Sequence, residues 1–167
     1  MQLHKNVLTT ETISLFEKEL NTKLTSKCWA VSSFAWPVNI MIGVQGSCAS
    51  SNLSKDLENK IIDNIKELLP PYRELVIQCY IWDKNSGISK HDDHNFKFGA
   101  TIYMNKTWDM NYGGIFLWVP NGETEFRAII PECNNMVVND KREQHMVTSI
   151  SPYIKEPRIT IQIWGLA

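Results

Sequence analysis

Histidine is scarce in this chain. Its 167 residues hold four, His4, His91, His94 and His145, so any imidazole metal site draws on that short set. Charge of one sign is not in excess either: 17 basic and 18 acidic side chains leave a net charge of −1, against a broad nucleic-acid footprint or a polybasic membrane anchor. No hydrophobic run reaches the roughly 18 residues that a transmembrane helix needs. The opening Met1–Asn6 lacks the apolar stretch of a signal peptide. The four cysteines, Cys28, Cys48, Cys79 and Cys133, form no C-x-x-C pair, which excludes a zinc ribbon and a small disulfide framework. They read as buried, reduced thiols of a cytoplasmic protein. Neither an internal repeat nor a low-complexity linker divides the chain, and its length fits one domain.

What is present is apolar patterning of two periods. Ile13, Phe16, Leu20 and Leu24 recur at helical spacing and predict a helix over Thr10–Leu24, behind a capping-box-like Thr9-Thr10-Glu11-Thr12. Leu53, Leu57, Ile61, Ile65, Leu68 and Leu69 predict a second over Ser51–Leu69, stopped by Pro70-Pro71. Both stripes read as core-facing surfaces. The rest reads as short strands: Cys28–Phe34, Val38–Gly43, Glu74–Asp83, Lys97–Met104, Gly114–Pro120, Glu125–Pro131, Met136–Asn139, Met146–Ser151 and Arg158–Trp164. Turns at Asn85-Ser86-Gly87, Tyr112-Gly113-Gly114 and Pro120-Asn121-Gly122 separate them. Many strands behind two helices predict a β-sandwich or barrel braced by helices.

The last strand has two unlike faces. Ile159, Ile161 and Ile163 share one; Arg158, Thr160, Gln162 and Trp164 share the other. That polar face either meets solvent or lines a cavity. The metal-ligand pattern favours the cavity. His91-Asp92-Asp93 contains an H-x-D step, His145 follows much later, and Arg158 stands on the strand beyond it. Two imidazoles and one carboxylate on one face form the facial triad that holds Fe(II) and leaves positions open for substrate and oxygen. An inward guanidinium needs an anion, because an unpaired buried cation is costly. A dicarboxylate such as 2-oxoglutarate supplies one. Inward faces of two further strands carry Tyr103 with Thr101, and Gln78 with Tyr80 and Trp82, as a ligand-lined interior requires.

Residues 76–165 resemble the catalytic core of the 2-oxoglutarate- and Fe(II)-dependent prolyl hydroxylases, above all the hypoxia-inducible-factor (egg-laying-nine) branch. The resemblance is carried by Ile102–Asp109, Gly113-Gly114-Ile115, Phe126–Pro131 and Arg158–Trp164, in that order. It implies a mainly β fold, a double-stranded β-helix (jelly-roll, cupin-like) core with supporting N-terminal α-helices. Residues 1–167 would form a single oxygenase domain, with 1–73 as helical support and outer strands and 74–167 as the catalytic core. By resemblance, His91, Asp93 and His145 are the iron ligands. Arg158 grips the distal carboxylate of 2-oxoglutarate, assisted by the Tyr103 hydroxyl, and Tyr80 lines the co-substrate pocket. Gln162 stands where the family offers a small hydroxyl residue, which Thr160 supplies instead. Trp164 walls the substrate side. The implied cofactors are Fe(II), 2-oxoglutarate and O2, with ascorbate as supporting reductant. The implied reaction hydroxylates C4 of a prolyl residue in a protein or peptide and releases succinate and CO2.

Alternatives remain beside this reading. The substrate could be a free amino acid or a biosynthetic peptide, and the chain could be a metal-loaded, non-catalytic cupin-like module. Neither nucleic acid nor membrane is expected as a partner, and a monomer or weak homodimer is. His94 and Asp92 read as exposed groups, or as groups set behind the ligands, rather than as ligands, and His4 as uninvolved. Gly113-Gly114 reads as a backbone-geometry site, Lys97 as an exposed strand lysine, and Trp36 and Trp108 as packing residues or edges of the entrance.

Overall fold

The computed structural model describes residues 1–26 and 48–167. The strands expected over Cys28–Phe34 and Val38–Gly43, with Cys28 and Trp36, lie outside the described residues. In chain order the elements are β1 (Gln2–His4), α1 (Thr10–Ser26), β2 (Cys48–Asn52), α2 (Lys55–Ile65), β3 (Glu74–Trp82), β4 (Ile88–His91) and β5 (Phe98–Tyr103). There follow β6 (Phe116–Val119), β7 (Arg127–Ile129), β8 (Met136–Asn139), β9 (Gln144–Val147) and β10 (Arg158–Leu166). Short 3-10 turns occupy Lys66–Leu68 and Met110–Tyr112. The strands form two antiparallel sheets: six strands in the order β1-β8-β5-β10-β3-β2, and four in the order β4-β9-β6-β7. This is the jelly-roll architecture expected from the sequence.

Pleating explains the layers. On β3, β5 and β10 the outward set (Ile77, Cys79, Phe98, Ala100, Ile102, Ile161, Ile163) is buried with Phe16 of α1 and Leu57, Ile61 and Ile65 of α2. The two helices therefore cover one face of the large sheet. Each fully buried leucine or isoleucine of α2 contributes roughly 1.5–3 kcal/mol by leaving water. The inward set of the same strands faces the four-stranded sheet and is polar or aromatic. A cavity of about 760 Å³ lies between the two sheets, with lining side chains from both.

Several expected bounds shift, each for a local reason. The second helix begins at Lys55, not Ser51. Ser54, in extended backbone at φ −64 and ψ 151, caps it by accepting from Leu57 N, and is itself held by Glu19. Ser51 and Asn52 belong instead to β2, whose small polar residues carry no strand pattern and are extended by pairing with β3. Short β4 has the same character, with a register shift between Ile88 and His91. The strand expected over Met146–Ser151 runs from Gln144 to Val147, so His145 sits within it, opposite His91 and Trp118. β1 is a further strand the patterning does not reveal.

Among the described residues no helix is long and apolar enough to cross a membrane. Cys48, Cys79 and Cys133 are free thiols; burial pushes the first two up to about 12, which keeps them in the inert protonated form.

Candidate active site

Three elements bring the candidate metal ligands together. β4 ends on His91, the turn after it carries Asp93, whose carbonyl accepts from Phe96 N at 2.9 Å, and β9 supplies His145 across the ladder. Asp93 stands between the imidazoles: Oδ1 is 3.5 Å from His91 Nε2 and Oδ2 is 3.3 Å from His145 Nε2. One ligand atom from each of the three lies within 4.8 Å of the others, and they are the one such group among the described residues.

The ring tautomers follow from what stands behind them. His91 Nδ1 is 2.8 Å from the Ser89 carbonyl and His145 Nδ1 is 2.9 Å from the Glu143 carbonyl. A carbonyl only accepts, so both Nδ1 atoms carry the proton and both Nε2 lone pairs face inward, the state a metal requires. Asn139 fixes the Glu143 carbonyl by donating to it at 3.0 Å and accepting from Glu143 N at 3.0 Å. Phe116 stacks on the His145 ring at 5.2 Å and 17°. Burial holds His145 below the ordinary histidine range, in the neutral form that coordinates; at His91 burial is outweighed by Asp93 and the Ser89 carbonyl, which raise it.

Gly99 makes room for this group. A Cβ there would lie 2.8 Å from Asp93 Oδ2 and 2.9 Å from the Trp164 ring. Gly99→Ala is therefore expected to displace the carboxylate and weaken Mn(II) binding on the order of tenfold, as loss of a ligand-orienting contact does. Calorimetric titration checks it, with circular dichroism to confirm that the fold persists.

Deeper in the cavity lies Arg158, 1% exposed. Its Cζ sits 5.1 Å from the Trp82 ring and 5.3 Å from the Tyr103 ring, yet its buried Nε and Nη1 have no hydrogen-bond partner. The buried Tyr103 hydroxyl has none either. Burial works against the guanidinium charge. A cation with two orphaned donors beside an orphaned hydroxyl can receive a carboxylate. Gly114 (φ +64) lets Arg158 lie against the backbone, since a Cβ would meet its Cδ at 2.9 Å. Gly113 (φ +69) passes the Ser149 carbonyl in the same way. Both glycines thus answer to backbone geometry.

The other expected residues divide. Tyr80 and Gln162 line the cavity, as does Trp164, stacked on Phe96 at 4.4 Å. Thr160 is fully buried beneath Trp82, whose indole N–H donates to its hydroxyl oxygen at 3.1 Å, so it lies behind the wall rather than on it. Asp92 binds His94 Nδ1 at 2.8 Å and Gln144 Nε2 at 3.1 Å, tying the ligand-bearing turn to β9; neither it nor exposed His94 joins the ligand set. Lys97 is exposed and Trp108 donates to the Gly113 carbonyl, both outside the cavity lining. His4 sits on β1 at a sheet edge, also outside that lining. Sequence reasoning missed Asn139 and Gly99. A lone polar residue closing the apolar Met136-Val137-Val138 run was the one available signal for Asn139.

No protein-family model matches the sequence, and no curated protein matches it. Solved structures share the fold. A Pseudomonas putida prolyl-4-hydroxylase superposes with a TM-score of 0.72 at 11% identity, over 99% of this chain and 91% of that one. A Trichoplax adhaerens prolyl hydroxylase, in complex with a hypoxia-inducible-factor oxygen degradation domain peptide fragment, gives 0.72 at 14% identity, over 99% and 82%. A Burkholderia pseudomallei oxidoreductase of the 2OG-Fe(II) oxygenase family gives 0.52 at 13%, over 77% of each chain. At such identities the likeness is one of fold.

Proposed function

We propose that residues 1–167 act as a 2-oxoglutarate- and Fe(II)-dependent oxygenase that hydroxylates an unactivated C–H bond, C4 of a prolyl residue in a peptide or protein. The observation that carries this reading is the pairing, in one cavity, of an inward His91–Asp93–His145 group with an unpartnered buried Arg158. A cupin-like module that only stores metal has no use for the second feature. Prolyl hydroxylases among the structural neighbours favour the prolyl target.

Both implied groups fit the residues present. His91, Asp93 and His145 would hold Fe(II), whose chemistry, with O2 and 2-oxoglutarate, is the oxidation of the C–H bond with release of succinate and CO2. Arg158 and Tyr103 would receive the distal carboxylate of 2-oxoglutarate, neutralising one charge and fixing the molecule's direction in the cavity. The carbonyls of Ser89 and Glu143 keep the imidazoles in the ligating tautomer. Trp164 and Phe96 wall the mouth.

The test is mass spectrometry after incubation with Fe(II), ascorbate and 2-oxoglutarate. Proline-containing peptides are expected to gain one oxygen, about 16 Da, with succinate formed alongside. Oxygen gained by free amino acids and not by peptides would overturn the peptidyl target. Absence of succinate under every condition would overturn the oxygenase.

A further inference from the structure

One row of residues, three of them lining the cavity and the exposed Asn52 at its end, is left unemployed by either the metal or the dianion. Asn52, Gln78, Gln162 and Thr101 stand in register across β2, β3, β10 and β5. Thr101 Oγ1 donates to Gln162 Oε1 at 2.8 Å, and Gln78 Nε2 donates to Asn52 Oδ1 at 3.0 Å. Each glutamine amide thus has one end tied and one end open. Gln162 offers its Nε2 donor and Gln78 its Oε1 acceptor, side by side on paired strands, and both residues line the cavity. Turning Gln162, Gln78 and Asn52 over together exchanges the roles but still leaves one donor and one acceptor. Full charges are few nearby. Among the described residues, the lining cations besides Arg158 reduce to Lys90, exposed at the rim, and the carboxylates to Asp93 and the already bonded Asp92.

We infer that Gln78 and Gln162 read the main chain of a peptide substrate, which rests on the oxygenase reading of the same cavity. In an extended peptide the N–H and C=O of one residue point to the same side, as they do when antiparallel strands exchange paired hydrogen bonds. The open acceptor and donor match that pair. A prolyl nitrogen carries no hydrogen, so the residue read is a neighbour of the target. A free amino acid would instead set an ammonium and a carboxylate against neutral amides, a poor match.

Tryptophan fluorescence can follow the binding, since Trp164 stands on the same wall. The protein is loaded with Mn(II) and 2-oxoglutarate without oxygen, then titrated with N-acetyl-Ala-Pro-Ala-amide or with L-proline. The capped peptide is expected to bind more tightly than proline. Gln78→Met and Gln162→Met, which keep side-chain volume, are each expected to weaken peptide binding about fivefold, the loss of one neutral hydrogen bond. Gln162→Glu, which keeps the acceptor for Thr101 and loses the donor, gives the same reading should the methionine variant fail to fold. Wild-type affinity in the variants, equal binding of proline, or no peptide binding by the wild type overturns the inference. Mn(II) affinity is read separately. Its absence would count against the metal site, and the peptide titration, repeated without metal, would still decide the amide pair.

Discussion

His145→Ala is expected to abolish Fe(II) binding and, with it, succinate formation. The ring supplies one of three ligand atoms and its Nε2 is aimed by the Nδ1–H bond to the Glu143 carbonyl. Alanine removes the ligand and opens a gap beneath Phe116, which stacks on that ring. A graded companion separates coordination from packing. Asn139→Leu leaves all three ligands but removes both bonds that hold the Glu143 residue, one to its carbonyl and one from its N–H, so the carbonyl that aims the His145 ring is no longer fixed. Losing such an orienting partner costs roughly 10–100-fold in metal affinity. The expected order of affinities by calorimetry is therefore wild type, then Asn139→Leu, then His145→Ala with none measurable. An Asn139 variant that binds as tightly as wild type would mean the Glu143 carbonyl is held well enough by the backbone alone.

Arg158→Met is expected to separate function from stability in opposite directions. In the ligand-free protein the guanidinium is buried with Nε and Nη1 unpartnered, a costly arrangement that the rings of Trp82 and Tyr103 offset only in part. Methionine fills similar volume with no charge to desolvate, so the melting temperature without co-substrate should hold or rise. Binding of 2-oxoglutarate should collapse. Hydrogen bonds to a charged group are worth about 1.5–3 kcal/mol each, so losing the fork costs on the order of a hundredfold or more. Added 2-oxoglutarate should then raise the melting temperature of metal-loaded wild type and leave that of the variant unmoved. Equal ligand-induced shifts in both proteins would remove Arg158 from the site. A large fall in the variant's own melting temperature would make the residue structural.

The site was legible in the sequence wherever one strand or one short step carried the signal. The H-x-D step, the later His145 and the polar face of Arg158–Trp164 could each be read along the chain, because strand pleating has a period of two. Many short strands behind two amphipathic helices pointed to a β-sandwich or barrel, and the resemblance of residues 76–165 narrowed that to a jelly roll. What was illegible depends on neighbours across the ladder. Gly99 matters because Asp93 and Trp164 converge on it from other elements. β2 and β4 carry small or polar residues and become strands by pairing with β3 and β9. The start of α2 was misread because the apolar stripe begins at Leu53, whereas the cap is set by Ser54 and its tie to Glu19. Thr160 shares the polar face of β10 but is fully buried, accepts from the Trp82 indole and is not among the residues that line the cavity.

The most direct test of the central claim is a crystal structure of the protein with Fe(II) and 2-oxoglutarate, grown without oxygen. The account predicts iron on His91 Nε2, His145 Nε2 and the Asp93 carboxylate. It also predicts the distal carboxylate of 2-oxoglutarate on Arg158, within reach of the Tyr103 hydroxyl. Iron bound elsewhere, or a 2-oxoglutarate carboxylate that leaves Arg158 unpartnered, would contradict it.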